Sequence, residues 1–118
     1  MTPRRSPTQR SGDAAEAIAF DHLLARGLQP VARNVSSQVG EIDLIMRDGD
    51  ELVFVEVRAR SRSDYGGAAA SVGPVKQQRL RRAAQRWLLG RYGDRWPACR
   101  FDVCALQGRE IDWIRGAF

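Results

Sequence analysis

Two carboxylates written into otherwise apolar strands constrain this chain more than any other feature. The run from Gly40 to Arg60 reads Gly-Glu-Ile-Asp-Leu-Ile-Met-Arg-Asp-Gly-Asp-Glu-Leu-Val-Phe-Val-Glu-Val-Arg-Ala-Arg. Its first arm alternates, with Ile42, Leu44 and Met46 on one face and Glu41, Asp43 and Ile45 on the other, as a period of two requires. Asp48, Gly49 and Asp50 supply a turn. The second arm, Leu52 to Arg58, sets Val53, Val55 and Val57 on one face and Leu52, Phe54, Glu56 and Arg58 on the other.

The register of this hairpin decides whether the acids meet. A two-residue loop at Asp48-Gly49 puts Asp43 opposite Phe54, with Glu56 on the diagonal, whereas a loop at Gly49-Asp50 puts Asp43 opposite Glu56. Either loop leaves both acids on one face, their Cβ atoms roughly 5 Å apart if opposed and about 7 Å apart if diagonal. A three-residue loop without a bulge would part them. Ionised carboxylates in an apolar strand are costly unless cations, hydrogen bonds or a metal compensate. Two acids and a cation on one face suit an oxygen-liganded ion such as Mg²⁺ or Mn²⁺, with the cation held near a phosphate. The competing explanation is an edge hairpin whose polar face meets water, Glu56 and Arg58 being paired across the strands.

Charge and size limit the choice of function. At 118 residues the chain has room for one domain. Its formal charge of +5 and pI near 10.2 suit an anionic partner such as nucleic acid. Lys76 is the sole lysine; the other basic residues are arginines. Cys99 and Cys104 lie five apart on one expected strand, so they face opposite ways and read as free thiols. With His22 the single histidine, a Cys/His metal site is not expected. No stretch approaches a membrane span, and Arg4-Arg5 precedes no apolar signal core, so the expected compartment is a reducing cytoplasm.

The remaining elements fall into place around the hairpin. Residues 1–11 read as a flexible basic tail and 12–118 as the domain. A helix is expected from Gly12 or Asp13 to Arg26, with Ala14, Ala17, Ile18, Phe20 and Leu24 inward and Gly27 ending it. Asp13 as N-cap, with Glu16 three residues on, would complete a capping box. Gln29 to Asn34 reads as a short extended segment, and Val35 to Val39 as a lead into the hairpin. Ser61 to Pro74, with Tyr65, reads as a loop past the charged end of the second arm. Val75 to Leu89 is a second helix on Leu80, Ala83, Ala84, Trp87 and Leu88. Arg79, Arg82 and Arg86 form a stripe along its flank, either solvated or in contact with phosphate. Gly90 to Pro97 turns, with Trp96 tucked against the core. Strands at Arg100–Leu106 and Glu110–Arg115 close an α/β domain with a mixed sheet.

Gly-Asp-Ala-Ala-Glu-Ala-Ile-Ala at Gly12 to Ala19, Gly-Glu-Ile-Asp-Leu-Ile at Gly40 to Ile45 and Phe-Val-Glu-Val-Arg at Phe54 to Arg58 carry a family resemblance. Val-Lys-Gln-Gln-Arg-Leu at Val75 to Leu80, Arg-Phe-Asp-Val at Arg100 to Val103 and the terminal Ala-Phe extend it. With these segments the chain resembles the bacterial YraN-like proteins, themselves similar to archaeal Holliday-junction resolvases and grouped with the restriction-endonuclease-like, PD-(D/E)XK fold. The resemblance implies a central mixed sheet flanked by helices. It makes Asp43 and Glu56 catalytic metal ligands, Val57 a carbonyl donor, and Glu16 an auxiliary acid. Arg58 stands where such nucleases carry a lysine, and Ala15 replaces a glycine common in the first-helix motif. Arginine stays protonated and cannot act as a general base.

The function this implies is nucleic-acid binding, with metal-dependent phosphodiester hydrolysis of branched or otherwise structured DNA. Arg58 and Lys76 would bind phosphate, Gln77 or Gln78 would orient substrate, and Arg79, Arg82 and Arg86 would extend the contact. A homodimer would serve cutting of two strands. The alternatives are a nucleic-acid-binding module without turnover on the same scaffold, or a protein-interaction subunit whose basic face meets an acidic partner.

Overall fold

A computed structural model describes residues 7–59 and 72–118. Helix α1 (Pro7–Ala25) leads into three strands joined by tight turns: β1 (Gln29–Ser37), β2 (Gly40–Asp48) and β3 (Glu51–Ala59). Helix α2 (Pro74–Tyr92) then precedes β4 (Cys99–Gln107) and β5 (Glu110–Ile114). The sheet order is β1-β2-β3-β4-β5. All neighbours are antiparallel except β3 and β4, whose parallel pairing runs from Leu52–Cys99 to Ala59–Leu106. A parallel pair needs a crossover, and α2 lies within it. The expected mixed sheet flanked by helices is therefore present.

Each helix covers one face. On the α1 side, Ala15, Ala19 and Leu23 pack on Leu44, Met46, Val53, Val55, Cys104 and Leu106. On the α2 side, Ala83, Ala84 and Leu88 meet Ile42, Ile45, Leu52 and Phe54, while Leu80 joins Val72, Val103 and Ala105. Phe54, Phe101 and Phe118 stack in sequence, with centroids 5.4 and 4.9 Å apart. The Ala117 N–H donates to the Phe101 carbonyl, docking the chain's end on β4.

Several sequence expectations need correction. Helix α1 begins at Pro7, so residues 7–11 of the expected tail are helical and Asp13 lies inside the helix rather than capping it. The buried face of α1 is Ala15, Ala19 and Leu23; Ala14 and Ala17 are exposed and Leu24 is 38% exposed. The small residues along this helix left its phase ambiguous, and the packing of Leu23 fixes it. The lead-in segment is a full strand, β1, paired with β2 from Gln29–Arg47 to Ser37–Gly40. Helix α2 runs through Gly90 and stops at Gly93, whose φ of 65° suits a residue without Cβ. Trp96 is 41% exposed, not tucked in, and donates its ring N–H to the Gly93 carbonyl at 2.6 Å. Residues 1–6 and most of the Ser61–Pro74 loop, Tyr65 included, lie outside the described residues. Both cysteines are free, and burial pushes the Cys104 thiol up to about 12, so it is chemically inert.

At the turn end of the β2–β3 hairpin, a partly buried ionic clasp joins four elements. Arg100 donates to Asp48 at 2.9 Å, to Glu51 at 2.8 Å and to Asp102 at 3.0 Å. Asp102 is fully buried and also accepts the Trp113 ring N–H and the Gly116 backbone N–H. Removing one partner of such a set strands the others. Asp102→Ala is expected to lower unfolding free energy by about 3–5 kcal/mol, read as a lower urea midpoint with an unchanged slope. A loss under about 1 kcal/mol would show that water substitutes freely for Asp102.

Candidate metal and phosphate site

The hairpin turn settles the register. Asp48 pairs with Glu51 and Leu44 with Val55, so the loop is Gly49-Asp50, with Gly49 at φ 61° as the first position of a type II′ turn demands. One further step places Asp43 across from Glu56. Their neighbourhood, however, is not a regular strand pair. Leu44 packs on the α1 side but Ile42, two residues earlier, packs on the α2 side with Ile45. In β1, Arg33 lies over Phe20 of α1, whereas Val35 joins the α2 cluster. Residues two apart in a strand should share a face. Both strands therefore change phase at one level, between the Arg33–Leu44 and Val35–Ile42 pairs, and Asn34 in that interval adopts φ 52°.

This paired slip builds the site. The β2–β3 ladder ends at Leu44–Val55, and the Val57 N–H beyond it donates to Asp43 Oδ2 at 2.9 Å. Asp43 thus lies between Glu56 on the α2 side and Glu16 on the α1 side, interacting with both. Glu41 turns the same way. Carboxylate oxygens of Glu16, Glu41 and Asp43 all fall within 4.8 Å of one another. The expected alternation, with Ile42 beside Leu44, is overturned here, and Glu41, which the sequence placed on the Asp43 face without a role, joins the acids. Its position next to Asp43 at the start of an arm gave no signal, because regular alternation sends it away from Glu16.

Cations complete the arrangement. Lys76, in the first turns of α2, brings Nζ to 3.5 Å from Glu56 Oε1, and Arg58 Nη1 lies 3.9 Å from the same oxygen. Glu56 is 5% exposed, and its other oxygen has no hydrogen-bond partner among the described residues. Helix α2 starts at Pro74 behind Gly73 without a side-chain cap, so the positive end of its dipole is available near Lys76. Because α2 follows β3, that end lies at the carboxyl edge of the parallel pair, where α/β sheets commonly bind ligands. Gln77 is occupied elsewhere: its amide donates to the Val72 carbonyl at 2.8 Å. Gln78 is exposed, as are Arg79, Arg82 and Arg86. Arg86 begins ten residues beyond Lys76, about 15 Å along the helix axis, so it extends the basic surface rather than joining the acids.

The electrostatics are those of crowded, partly buried acids. Burial, and after it the Asp43 charge, pushes both Glu16 and Glu56 up to about 7. Burial likewise raises Asp43, while the Val57 N–H and Lys76 pull it back. A bare buried oxygen on Glu56 and three further acids on adjoining elements fit a hard divalent ion that takes oxygen ligands. Among the described residues, His22 is not near this set; it stands edge-on to Trp113 and beside Arg26.

A profile described as "Uncharacterised protein family UPF0102" matches residues 15–106. A UPF0102 protein of Bordetella parapertussis is 52% identical over 96% of this chain, which spans 66% of that relative's length. One from Ralstonia nicotianae is 55% identical over 92% of the chain and 85% of the relative. The UPF0102 protein YraN of Escherichia coli is 49% identical over 99% of the chain and 90% of the relative.

The raised carboxyl groups make stability depend on pH in a fixed direction. Glu16 and Glu56 titrate at about 7 in the folded chain against an ordinary 4.5, so the folded state holds more protons across that window. Stability without a divalent ion therefore falls as pH rises from about 4.5 to about 7. Asp43→Asn keeps an oxygen for the Val57 N–H and removes the central charge. Thermal melts in chelator at pH 8 should show this variant about 4 °C or more above the parent, with a flatter pH profile. An equal or lower melting temperature would mean the acids do not repel one another.

Proposed function

The chain belongs to the uncharacterised protein family UPF0102, and from that premise we propose that it is a nuclease-like, nucleic-acid-binding protein that hydrolyses phosphodiesters in DNA with Mg²⁺ or Mn²⁺. The observation that carries this reading is the buried, unpartnered oxygen of Glu56 beside Asp43, with Lys76 and Arg58 on the opposite side of the same carboxylate. Acids from three elements and cations from two converge on one sheet edge. Such an edge can hold an ion and a phosphate together. The restriction-endonuclease-like assignment, drawn from the motifs, is supported by the mixed sheet with α2 in its crossover and by the position of both motif acids where the β2–β3 ladder ends.

Asp43 and Glu56 would hold the ion, with Glu16 and Glu41 available to complete or tune its shell. Bound there, a divalent ion supplies polarisation of a phosphoryl oxygen and acidification of water. The protein's own groups do the rest. Val57 fixes the Asp43 carboxylate through its backbone N–H, so Asp43 does not need to reorganise on binding. Lys76 and Arg58 would neutralise phosphate charge; Arg58 offers a planar guanidinium clamp and no proton acceptor. Glu16 and Glu56, with pKa values near 7, can each hold or release a proton at working pH.

Arg58 at the usual lysine position favours one rival, a scaffold that binds nucleic acid without cutting it. A cleavage screen on branched, flapped and linear DNA in Mn²⁺ separates the two. Metal-dependent cutting that falls more than about 100-fold in Asp43→Asn and in Glu56→Gln is the expected result. DNA binding without cutting by the parent protein under all conditions would establish the rival, and no DNA affinity at low salt would remove both.

A further inference from the structure

A cleft of about 410 Å³ opens between the β1–β2 turn, Ser37 to Gly40, and the first turns of α2. Lys76 and Arg79 line one side and Glu41 another. Two of these residues also belong to the acid site: Glu41 groups with Glu16 and Asp43, and Lys76 touches Glu56. These shared residues set the cleft beside the acid cluster. Gly40 lies against Arg79 across it, where a Cβ would be in ordinary contact with the Arg79 carbonyl oxygen at 3.7 Å.

We propose that this cleft seats one unpaired nucleotide next to the reacting phosphate, so that the preferred substrate carries a single-stranded arm at the cut. This rests on the nuclease reading above and names its substrate class. The volume suits a single nucleotide and not the paired strands of a duplex. Among the described residues no aromatic ring lines it, and the proposed grip is on the sugar-phosphate backbone through Lys76 and Arg79. Charge continues outward from it. Helix α2 carries Lys76, Arg79, Arg81, Arg82, Arg86 and Arg91 and no acid in its 19 residues. Arg81 lies over the Phe118 ring and Arg91 over Trp87, whereas Arg79, Arg82 and Arg86 pair with no carboxylate among the described residues. These three make a track leading a strand to the cleft, Arg79 standing at its mouth. Glu41 in the cleft wall repels a phosphate unless an ion is present, which couples strand entry to metal loading.

The test is anisotropy on three labelled DNAs of one sequence, a blunt duplex, a duplex with a single-stranded arm and a single strand, in Ca²⁺ buffer with the full chain. The armed duplex should bind about tenfold tighter than the blunt one, and Arg79→Glu, which removes a general phosphate contact from both, should weaken the armed duplex about tenfold more than the blunt one and so abolish the preference. Arg79→Gln should do the same in lesser degree; both changes are at an exposed position, and unchanged melting temperatures check the fold. Equal weakening on both duplexes, or no preference in the parent protein, would overturn the subsite while metal-dependent cutting leaves the nuclease reading standing. Displacement by polyglutamate as readily as by single strand would overturn it in favour of an acidic protein segment. No affinity for any of the three at low salt, together with no cutting, would remove the underlying reading as well.

Discussion

Crowding of carboxylates at the end of the β2–β3 ladder is the constraint on which the rest of this structure bears. Asp43 gives up solvent to accept the Val57 N–H, and in doing so stands between Glu16 and Glu56. Burial opposes ionisation of each, and their charges oppose one another. A protein selected for stability alone would place aliphatic side chains here. The retained cost points to a ligand that carries positive charge, because a hard cation converts the same repulsion into binding energy.

The scaffold also secures the turn end of the same hairpin. Arg100 ties the β2–β3 turn, through Asp48 and Glu51, to Asp102 on β4, and Asp102 in turn anchors β5 and the chain's end. The apolar faces under α1 and α2 then fix where Glu16 and Lys76 stand. Glu16 lies one residue past Ala15 of the buried face, and Lys76 is one turn before Leu80. Each reaches the acids from its own side of the sheet, so the site depends on both helix packings.

What the sequence made legible was the local pattern. Alternation in the hairpin from Leu44 onward, the β-branched second arm and the face of α2 were readable, because large side chains define those faces clearly. The face of α1 was not, since its alanines carry too little hydrophobic contrast to fix a phase. Asp43, Glu56, Arg58 and Lys76 are brought together as their motifs suggested. Glu41 had no assigned role because the phase slip that turns it toward Glu16 depends on a partner strand, β1, whose extent short-range pattern did not reveal. Asn34, with its left-handed backbone, is the one local trace of that slip, asparagine tolerating φ > 0 better than most residues. Gln77 looked free for substrate because its bond to the Val72 carbonyl depends on a backbone conformation that sequence does not specify.

The most direct measurement is calorimetric titration of Mn²⁺ at pH 6.5 in buffers of different ionisation enthalpy. Glu16 and Glu56 titrate near 7, so a bound ion must expel protons from the cluster. The expected result is saturable binding with about one proton released per ion, both lost in the Asp43→Ala, Glu56→Ala double variant. Binding with no proton release, or heats unchanged in the double variant, would contradict a metal site built on these carboxylates.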